Sequence, residues 1–221
     1  MARKLGVYVE VAPKRAFACA VDWPGWCRAG RDPDGAIDAL FAYGSRYKNS
    51  LGPAADDLTV PADRSELEVV HRLEGNATTD FGALGITSPS DRRPIDGAEL
   101  KRLQRLLEAA WAAFDRAAEA AVGVELSKGP RGGGRDLDKV VAHMREADEA
   151  YLHALGARPP KRSVVSMTDL RTRILDTLEA RALGLPITDP ARIKSPWEPR
   201  FAVRRSAWHA LDHAWEIEDR S

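Results

Sequence analysis

The chain has 221 residues, of which 44% are apolar and 30% are charged, and its 33 basic and 33 acidic side chains give a formal net charge of zero. This balance gives no electrostatic reason to expect nucleic acid or an anionic membrane as a partner, and no segment approaches the roughly 18 uninterrupted apolar residues that a membrane helix needs. Because the start alternates like a strand rather than a secretory signal, and two cysteines do not indicate a disulfide scaffold, we expect a cytoplasmic protein.

Residues 1–74 predict a small antiparallel sheet with one helix. The segments LGVYVEVA and RAFACAVDW alternate in polarity, and Pro13 and Lys14 between them predict the turn of a hairpin. A short strand follows, and Asp32 and Pro33 then have the residue types of an N-cap and first helical position. The segment ELEVVHRLE predicts the last strand of this first domain.

Residues 75–95 are rich in turn formers and lack periodicity, which predicts an ordered connector whose length makes it a candidate functional segment. Residues 96–221 predict four amphipathic helices, beginning at an Asp96 cap and interrupted by breaks such as the flexible loop KGPRGGGR. Four helices with apolar stripes predict an antiparallel four-helix bundle. The expected fold class is therefore a two-domain α+β protein.

The segment AWHALDHAW places His209 and His213 four residues apart. On a helix this spacing puts both imidazoles one turn apart on the same face, where they can share a metal ion, although it also arises by accident. A transition metal held by histidine usually has at least three protein ligands. His143 is the third candidate because it lies at the edge of an apolar helix face, whereas His153 lies on a charged face and His71 in a strand of the other domain.

Two segments, DKVVAHMREADEAYL and AWHALDHAWEIED, resemble the second-helix and fourth-helix histidine segments of the DinB-like superfamily of bacterial four-helix bundles. The resemblance covers residues 96–221 and implies that His143, His209 and His213 hold zinc, nickel or a related divalent metal, with water in the open positions. Some members of the family are thiol-dependent transferases or isomerases that use mycothiol, bacillithiol or glutathione. The resemblance therefore implies a low-molecular-weight thiol as a further cofactor.

Three carboxylates lie close in sequence to the candidate ligands, namely Asp136, Asp212 and Glu216. A ligand histidine usually donates its second ring N–H to an acceptor, so each carboxylate is a candidate for that role. Each also has a simpler interpretation, as a solvated surface carboxylate.

Arginines and a tryptophan precede the histidine pair and are candidates for binding substrate. Arg200, Arg204 and Arg205 would bind substrate carboxylates if they face the site, and otherwise form a basic helix end on the surface. Trp208 is either a wall of a substrate pocket or a core residue. We predict Arg204 and Trp208 as the substrate-binding residues.

The segment VDWPGWCRAGRDPDGAIDAL resembles the HicB-like antitoxin fold at Asp22, Pro24, Gly25, Gly30 and Ala36. In that family the small sheet and its helix bind a toxin or pair with another copy of themselves. No DNA-binding helix-turn-helix and no RNA-cleaving toxin domain is evident in the sequence. The resemblance therefore implies a dimerising or substrate-covering module, with a homodimer as one expected assembly.

Together these features predict a metal-dependent enzyme that acts on a small-molecule substrate, by transfer or isomerisation with a thiol. Two alternatives stay open. One is a non-catalytic binding or interaction protein whose N-terminal domain recruits a partner, and the other is a metal-dependent hydrolase that uses no thiol.

Overall fold

The computed structural model describes residues 4–128, 134–159 and 166–221, so most of the predicted loop KGPRGGGR lies outside the described residues. Within them the chain is α+β. The strands are Leu5–Val11 (β1), Ala16–Ala20 (β2), Cys27–Gly30 (β3) and Leu67–Glu74 (β4). The α-helices are Pro33–Ala42 (α1), Gly44–Leu51 (α2), Ala77–Phe81 (α3), Gly97–Ala120 (α4), Leu137–Leu155 (α5), Met167–Leu183 (α6) and Pro199–Arg220 (α7).

The four strands form one mixed sheet in the order β3-β2-β1-β4. The predicted hairpin is confirmed, because β1 and β2 pair antiparallel. The prediction of a purely antiparallel sheet is wrong, because β4 pairs parallel with β1, from Leu5 opposite Leu67 to Val11 opposite Glu74. A parallel neighbour requires a long crossover connection, and the segment that contains α1 and α2 provides it.

The single helix predicted in the N-terminal region is divided into two. Asp32 caps α1 as expected, since its side chain accepts a hydrogen bond from the Gly35 amide at 2.8 Å. Tyr43 interrupts the helix with φ −90° and ψ 0°, and α2 begins at Gly44. A β-carbon at Gly44 would lie 2.9 Å from the Trp26 ring, so only glycine allows this close approach of α2 to the sheet side of the core.

Helices α4 to α7 form the C-terminal half of the described chain, and α7 lies against both α4 and α5. Asp96 caps α4 by accepting from the Glu99 amide at 2.8 Å, as predicted. Helix α7 is buried around most of its circumference, which is typical of a helix enclosed by other elements. No helix within the described ranges combines the length and the apolar character needed to cross a bilayer.

The sheet and the long helices share one cluster of buried side chains, which includes Val7 and Trp26 from one half and Leu107 and Trp215 from the other. Gly25 adopts φ +92°, and a β-carbon there would lie 3.0 Å from the Ala207 β-carbon of α7. The turn before β3 therefore packs directly on α7 and helps to position it. The domain boundaries at residues 74 and 96 stay predictions.

Candidate metal centre

Three histidines from two helices converge beside α7. His143 comes from α5, and His209 and His213 come from successive turns of α7. The Nε2 atom of His209 lies 3.2 Å from Nε2 of His143 and 3.0 Å from Nε2 of His213. Ligand atoms about 2.0–2.1 Å from a tetrahedral zinc ion lie roughly 3.3 Å from each other, so this spacing fits a single shared ion. The three candidate ligands thus lie together, with donor atoms all within 4.8 Å of one another.

The protonation states of these rings also suit a cation. Burial lowers the pKa of His209 to about 2, and the charges of His213 and Arg205 act in the same direction. Burial likewise lowers the pKa of His143, with Arg135 and His213 adding to the effect. A neutral imidazole has one N–H and one lone pair, and the neutral form is the one that binds metals. At neutral pH the donors of His143 and His209 therefore carry no charge of their own.

Hydrogen bonds on the far side of the rings orient two of the ligands. Nδ1 of His213 lies 2.7 Å from Oε2 of Glu216, whose other oxygen accepts from Arg220 at 2.8 Å. The bond from His213 lowers the pKa of Glu216, so the carboxylate stays ionised and holds the Nδ1 proton. The Nε2 lone pair of His213 consequently faces the cluster. Nδ1 of His209 lies 3.2 Å from the hydroxyl of Tyr151.

The other two predicted carboxylates have different roles. Asp212 forms an ion pair with Arg28 at 2.9 Å, and Asp136 lies at the N-terminus of α5, where it accepts from Lys139 at 3.1 Å. Neither hydrogen-bonds a candidate ligand. Of the three candidates, Glu216 is the one that matches the predicted arrangement of carboxylate, histidine and metal.

Tyr151 is a site residue that the sequence reasoning missed. It lies two turns after His143 on α5, and its pattern indicated only an apolar helix face. A buried tyrosine hydroxyl normally needs a hydrogen-bond partner, and this requirement was the available indication of a polar neighbour. Burial raises the pKa of Tyr151, so the phenol stays neutral beside His209.

The two histidines outside the cluster lie where the sequence placed them. His153 is exposed in the last turn of α5. His71 lies in β4, and its Nε2 is 3.1 Å from the hydroxyl of Ser90. Both are therefore useful controls for the three clustered rings.

Trp208 forms a wall between the histidines and the sheet. Its ring stacks on His209 with centroids 5.9 Å apart and an interplanar angle of 23°. Its other side meets Phe17 of β2 edge to face at 5.7 Å. With 5% of its surface exposed, Trp208 belongs to the core and also borders the site.

Arg204 is buried and engaged with other groups. Its Nε and Nη2 donate to Oδ1 of Asp91 at 3.2 and 2.8 Å, and its Nη1 and Nη2 donate to the carbonyls of Ala20 and Val21 at 2.6 and 3.0 Å. Since each nitrogen already has an acceptor, Arg204 joins α7 to the end of β2 and to the connector. This role differs from the predicted binding of substrate, which these contacts do not favour.

The two other arginines of this helix end differ from each other. Arg200 is buried and pairs with Glu99 while also donating to backbone carbonyls of the connector. Arg205 lies beside the site, with its guanidinium carbon 5.0 Å from the Trp208 ring centroid and 5.6 Å from that of Tyr151. Of the three arginines considered from sequence, Arg205 is the one whose charge lowers the pKa of His209.

Comparison of the chain with models of protein families, with curated proteins and with solved structures finds no match. The DinB-like and HicB-like resemblances therefore stay predictions from short motifs. The class defined by fold and site is an α+β protein with three neighbouring histidines that could hold a metal ion.

Proposed function

We propose that the protein is a metal-dependent enzyme that acts on a small molecule, and that α4 to α7 form a DinB-like four-helix bundle around its metal centre. The observation that supports this most strongly is the convergence of three Nε2 atoms from α5 and α7. An accidental HxxxH pair on α7 would not account for a third imidazole, from a helix more than fifty residues earlier, at the same point.

In this proposal His143, His209 and His213 hold one divalent ion, zinc or nickel. Such an ion, when bound by three protein ligands, keeps open positions and lowers the pKa of a water or thiol so that the anion exists near neutral pH. Glu216 keeps the Nδ1 proton on His213, which directs the Nε2 lone pair inward. The Tyr151 hydroxyl, 3.2 Å from Nδ1 of His209, restrains the orientation of that ring.

The surroundings of the histidines suit a small substrate that approaches from the α5 side. His209 and His213 are each 8% exposed, whereas His143 is only half-buried. Trp208 and Tyr151 line the buried side and exclude water there. Electrostatic interactions strengthen where water is excluded, which favours chemistry on an anionic thiol or water. The reaction that we propose is transfer or isomerisation with a low-molecular-weight thiol.

Metal analysis of the untagged protein tests the site. We expect about one divalent ion per chain after incubation with zinc or nickel and gel filtration, and loss of that ion in His143→Ala, His209→Ala and His213→Ala. His153→Ala removes an exposed imidazole from the same helix as His143 and should keep the ion. A wild-type chain that retains no ion, or a His153→Ala variant that loses it equally, would refute the proposed metal centre.

A second experiment tests the thiol. Mycothiol, bacillithiol and glutathione are added separately to the metal-loaded protein, and the midpoint of thermal unfolding is measured against S-methylated glutathione and against metal-free protein. An increase with one free thiol, absent in both controls, is the expected result. If none of the three thiols changes the unfolding midpoint of the metal-loaded protein, and the protein hydrolyses small esters, it is a hydrolase. Recovery of a specific partner through residues 1–74, without catalysis, would instead indicate an interaction protein.

A further inference from the structure

Arg205 lies on α7 one turn before His209, beside the three clustered histidines. Its Nε and Nη1 atoms are buried and have no hydrogen-bond partner in the part of the chain that the structure describes. Its guanidinium carbon lies near the ring centroids of Trp208 and Tyr151, the same two side chains that border His209. The guanidinium is also within hydrogen-bonding reach of the Tyr151 hydroxyl, but its Nε and Nη1 still have hydrogen bonds to make beside the candidate metal centre.

The nearby carboxylate of Glu10 does not supply the missing hydrogen-bond partner of Arg205. Burial raises the pKa of Glu10, and the charge of Arg205 acts weakly in the opposite direction, so the two side chains are within electrostatic reach. The carboxylate of Glu10 nevertheless accepts from the Thr79 hydroxyl and from the amides of Gly85 and Ile86. Glu10 therefore secures the connector to β1 rather than pairing with Arg205.

Among the described residues four other arginines have one buried nitrogen without a partner, whereas Arg205 has two; the other four are Arg28, Arg145, Arg171 and Arg173. Most buried polar atoms in proteins have a partner, and a charged group without one costs more than a neutral group. On the same helix, Arg200 and Arg204 follow the rule, since both are paired with carboxylates and backbone carbonyls. Arg205 has no such pairing, and it lies beside the clustered histidines, where a ligand is expected.

We propose that Arg205 forms an anion subsite of the candidate centre and that the substrate carries a carboxylate, which accepts hydrogen bonds from this guanidinium. Planar carboxylates match the donor fork of arginine, and such charge-assisted bonds are stronger than neutral ones. The assignment of this carboxylate to a substrate depends on the proposed function, whereas the binding of an anion by Arg205 does not.

The charge of the site agrees with this assignment. All three candidate donors are imidazoles rather than carboxylates, so they do not offset the charge of a divalent ion. Arg205 adds a further positive charge beside Tyr151 and Trp208, and Glu216 contributes one negative charge behind His213. A site with this balance attracts anionic molecules over neutral ones of the same shape.

Calorimetric titration with succinate tests the subsite, at constant ionic strength and on metal-loaded and metal-free protein. We expect succinate to bind the wild type, and dimethyl succinate, which has the same carbon skeleton without charge, to show no binding. Arg205→Gln should weaken succinate binding about ten- to hundredfold, the range for losing a charged hydrogen bond. Arg205→Lys should fall between the two, because it keeps the charge without the planar fork.

Arg105→Gln is the matched control, because it removes one positive charge from an exposed position on α4 and should leave succinate binding unchanged. Far-ultraviolet circular dichroism checks that each variant is folded. If Arg205→Gln is not folded, the comparison is made with Arg205→Lys. Equal succinate binding by the wild type and by the folded Arg205 variants would overturn the proposal. Inorganic phosphate that binds more tightly than succinate, with the same dependence on Arg205, would overturn the assignment to a carboxylate.

Metal content, measured on the same samples, separates this proposal from the proposed function. A wild-type protein that holds its ion but binds succinate no better than Arg205→Gln refutes the anion subsite alone. A protein that binds succinate through Arg205 yet holds no ion supports the subsite and refutes the metal-dependent enzyme. Arg205→Gln itself should keep about one ion per chain, because Arg205 is not one of the three clustered donors.

Discussion

Buried polar groups on one side of α7 have partners within the protein, whereas several of those on the other side do not. Toward the sheet, the connector and the first turn of α4, Arg204 pairs with Asp91 and Arg200 pairs with Glu99, so charge is balanced within the protein. Toward α5, imidazole nitrogens converge at about hydrogen-bond distance, and two nitrogens of Arg205 have no partner among the described residues. The first pattern is typical of groups that stabilise a fold, and the second of groups that await a ligand.

Asp148 on α5 is a second buried charged group that lacks hydrogen-bond partners. Its carboxylate is fully buried, and neither oxygen has a hydrogen-bond partner in the described chain. The nearest cation is Arg171, with Nε 3.9 Å from Oδ2. Burial raises the pKa of Asp148 to about 7, although Arg171 and the nearby indole N–H of Trp111 oppose the shift. The α5 side thus holds an acid whose charge is poorly compensated, which costs stability when the group ionises.

Removing a buried ion pair on the sheet side of α7 should have the largest effect on the free energy of unfolding. Arg204→Met leaves Asp91 buried without its counter-charge, and we expect the free energy of unfolding to fall by about 3–5 kcal/mol. Urea denaturation measures this loss. Arg64→Met breaks exposed pairs with Asp34 and Asp38 and should cost less than about 1 kcal/mol. Similar losses in the two variants would mean that burial of the Arg204 pair is not what matters.

A change behind the histidines should weaken metal binding without unfolding the protein. Glu216→Gln removes the negative charge that holds the Nδ1 proton of His213, and we expect metal affinity to fall about ten- to hundredfold. Competition with a chromophoric chelator measures the affinity. Asp212→Asn removes a carboxylate on the same helix that pairs with Arg28 instead, so it should bind metal like the wild type. An unchanged affinity in Glu216→Gln would contradict the assigned role.

The acid on the α5 side predicts a pH dependence of stability. A raised pKa means that the contribution of Asp148 is complete below its unfolded value near 3.9, decreases with rising pH and is lost above about 7. Asp148→Asn has no such loss, so its stability relative to the wild type should increase by about 2–3 kcal/mol between pH 5 and pH 7.5. Urea denaturation at both values measures the change. A difference between variant and wild type that does not vary with pH would contradict this explanation.

The smallest effect is expected for a neutral hydrogen bond on the paired side. The indole N–H of Trp215 donates to the Ser50 hydroxyl at 2.9 Å, which links α7 to α2. Ser50→Ala should lower the free energy of unfolding by about 0.5–1.5 kcal/mol in the same denaturation experiment. Thr172→Ala removes an exposed hydroxyl that bonds only its own helix, and its effect should be smaller. A loss as large as that of Arg204→Met would show that charge does not set the order.

Much of the local structure could be predicted from residues close together in the chain. Asp32 and Asp96 mark the beginnings of helices because a capping side chain bonds an amide three residues later. His209 and His213 share a face because they are four residues apart on one helix. These relations depend on short-range geometry, which is the same wherever such a sequence occurs.

The choice of His143 required more than local geometry. Its position at the edge of an apolar face favoured it over His153, but that pattern alone does not say which helix it faces. The same limitation applied to Arg204 and Arg205, because adjacent residues on a helix point about 100° apart and only their neighbours distinguish them. Asp91, more than a hundred residues earlier, decides that Arg204 is a structural residue.

The sequence by itself therefore determined the four long C-terminal helices, the caps at Asp32 and Asp96, the hairpin and the shared face of the histidine pair, because all of these follow from contacts within a few residues. It did not separate α1 from α2, and it did not indicate α3. Only the tertiary structure decided that β4 lies parallel to β1, that His143 meets His209, and that Arg205 is left with unpaired donors. Those outcomes depend on burial and pairing between distant segments, where one cluster of apolar side chains brings the sheet and the long helices together.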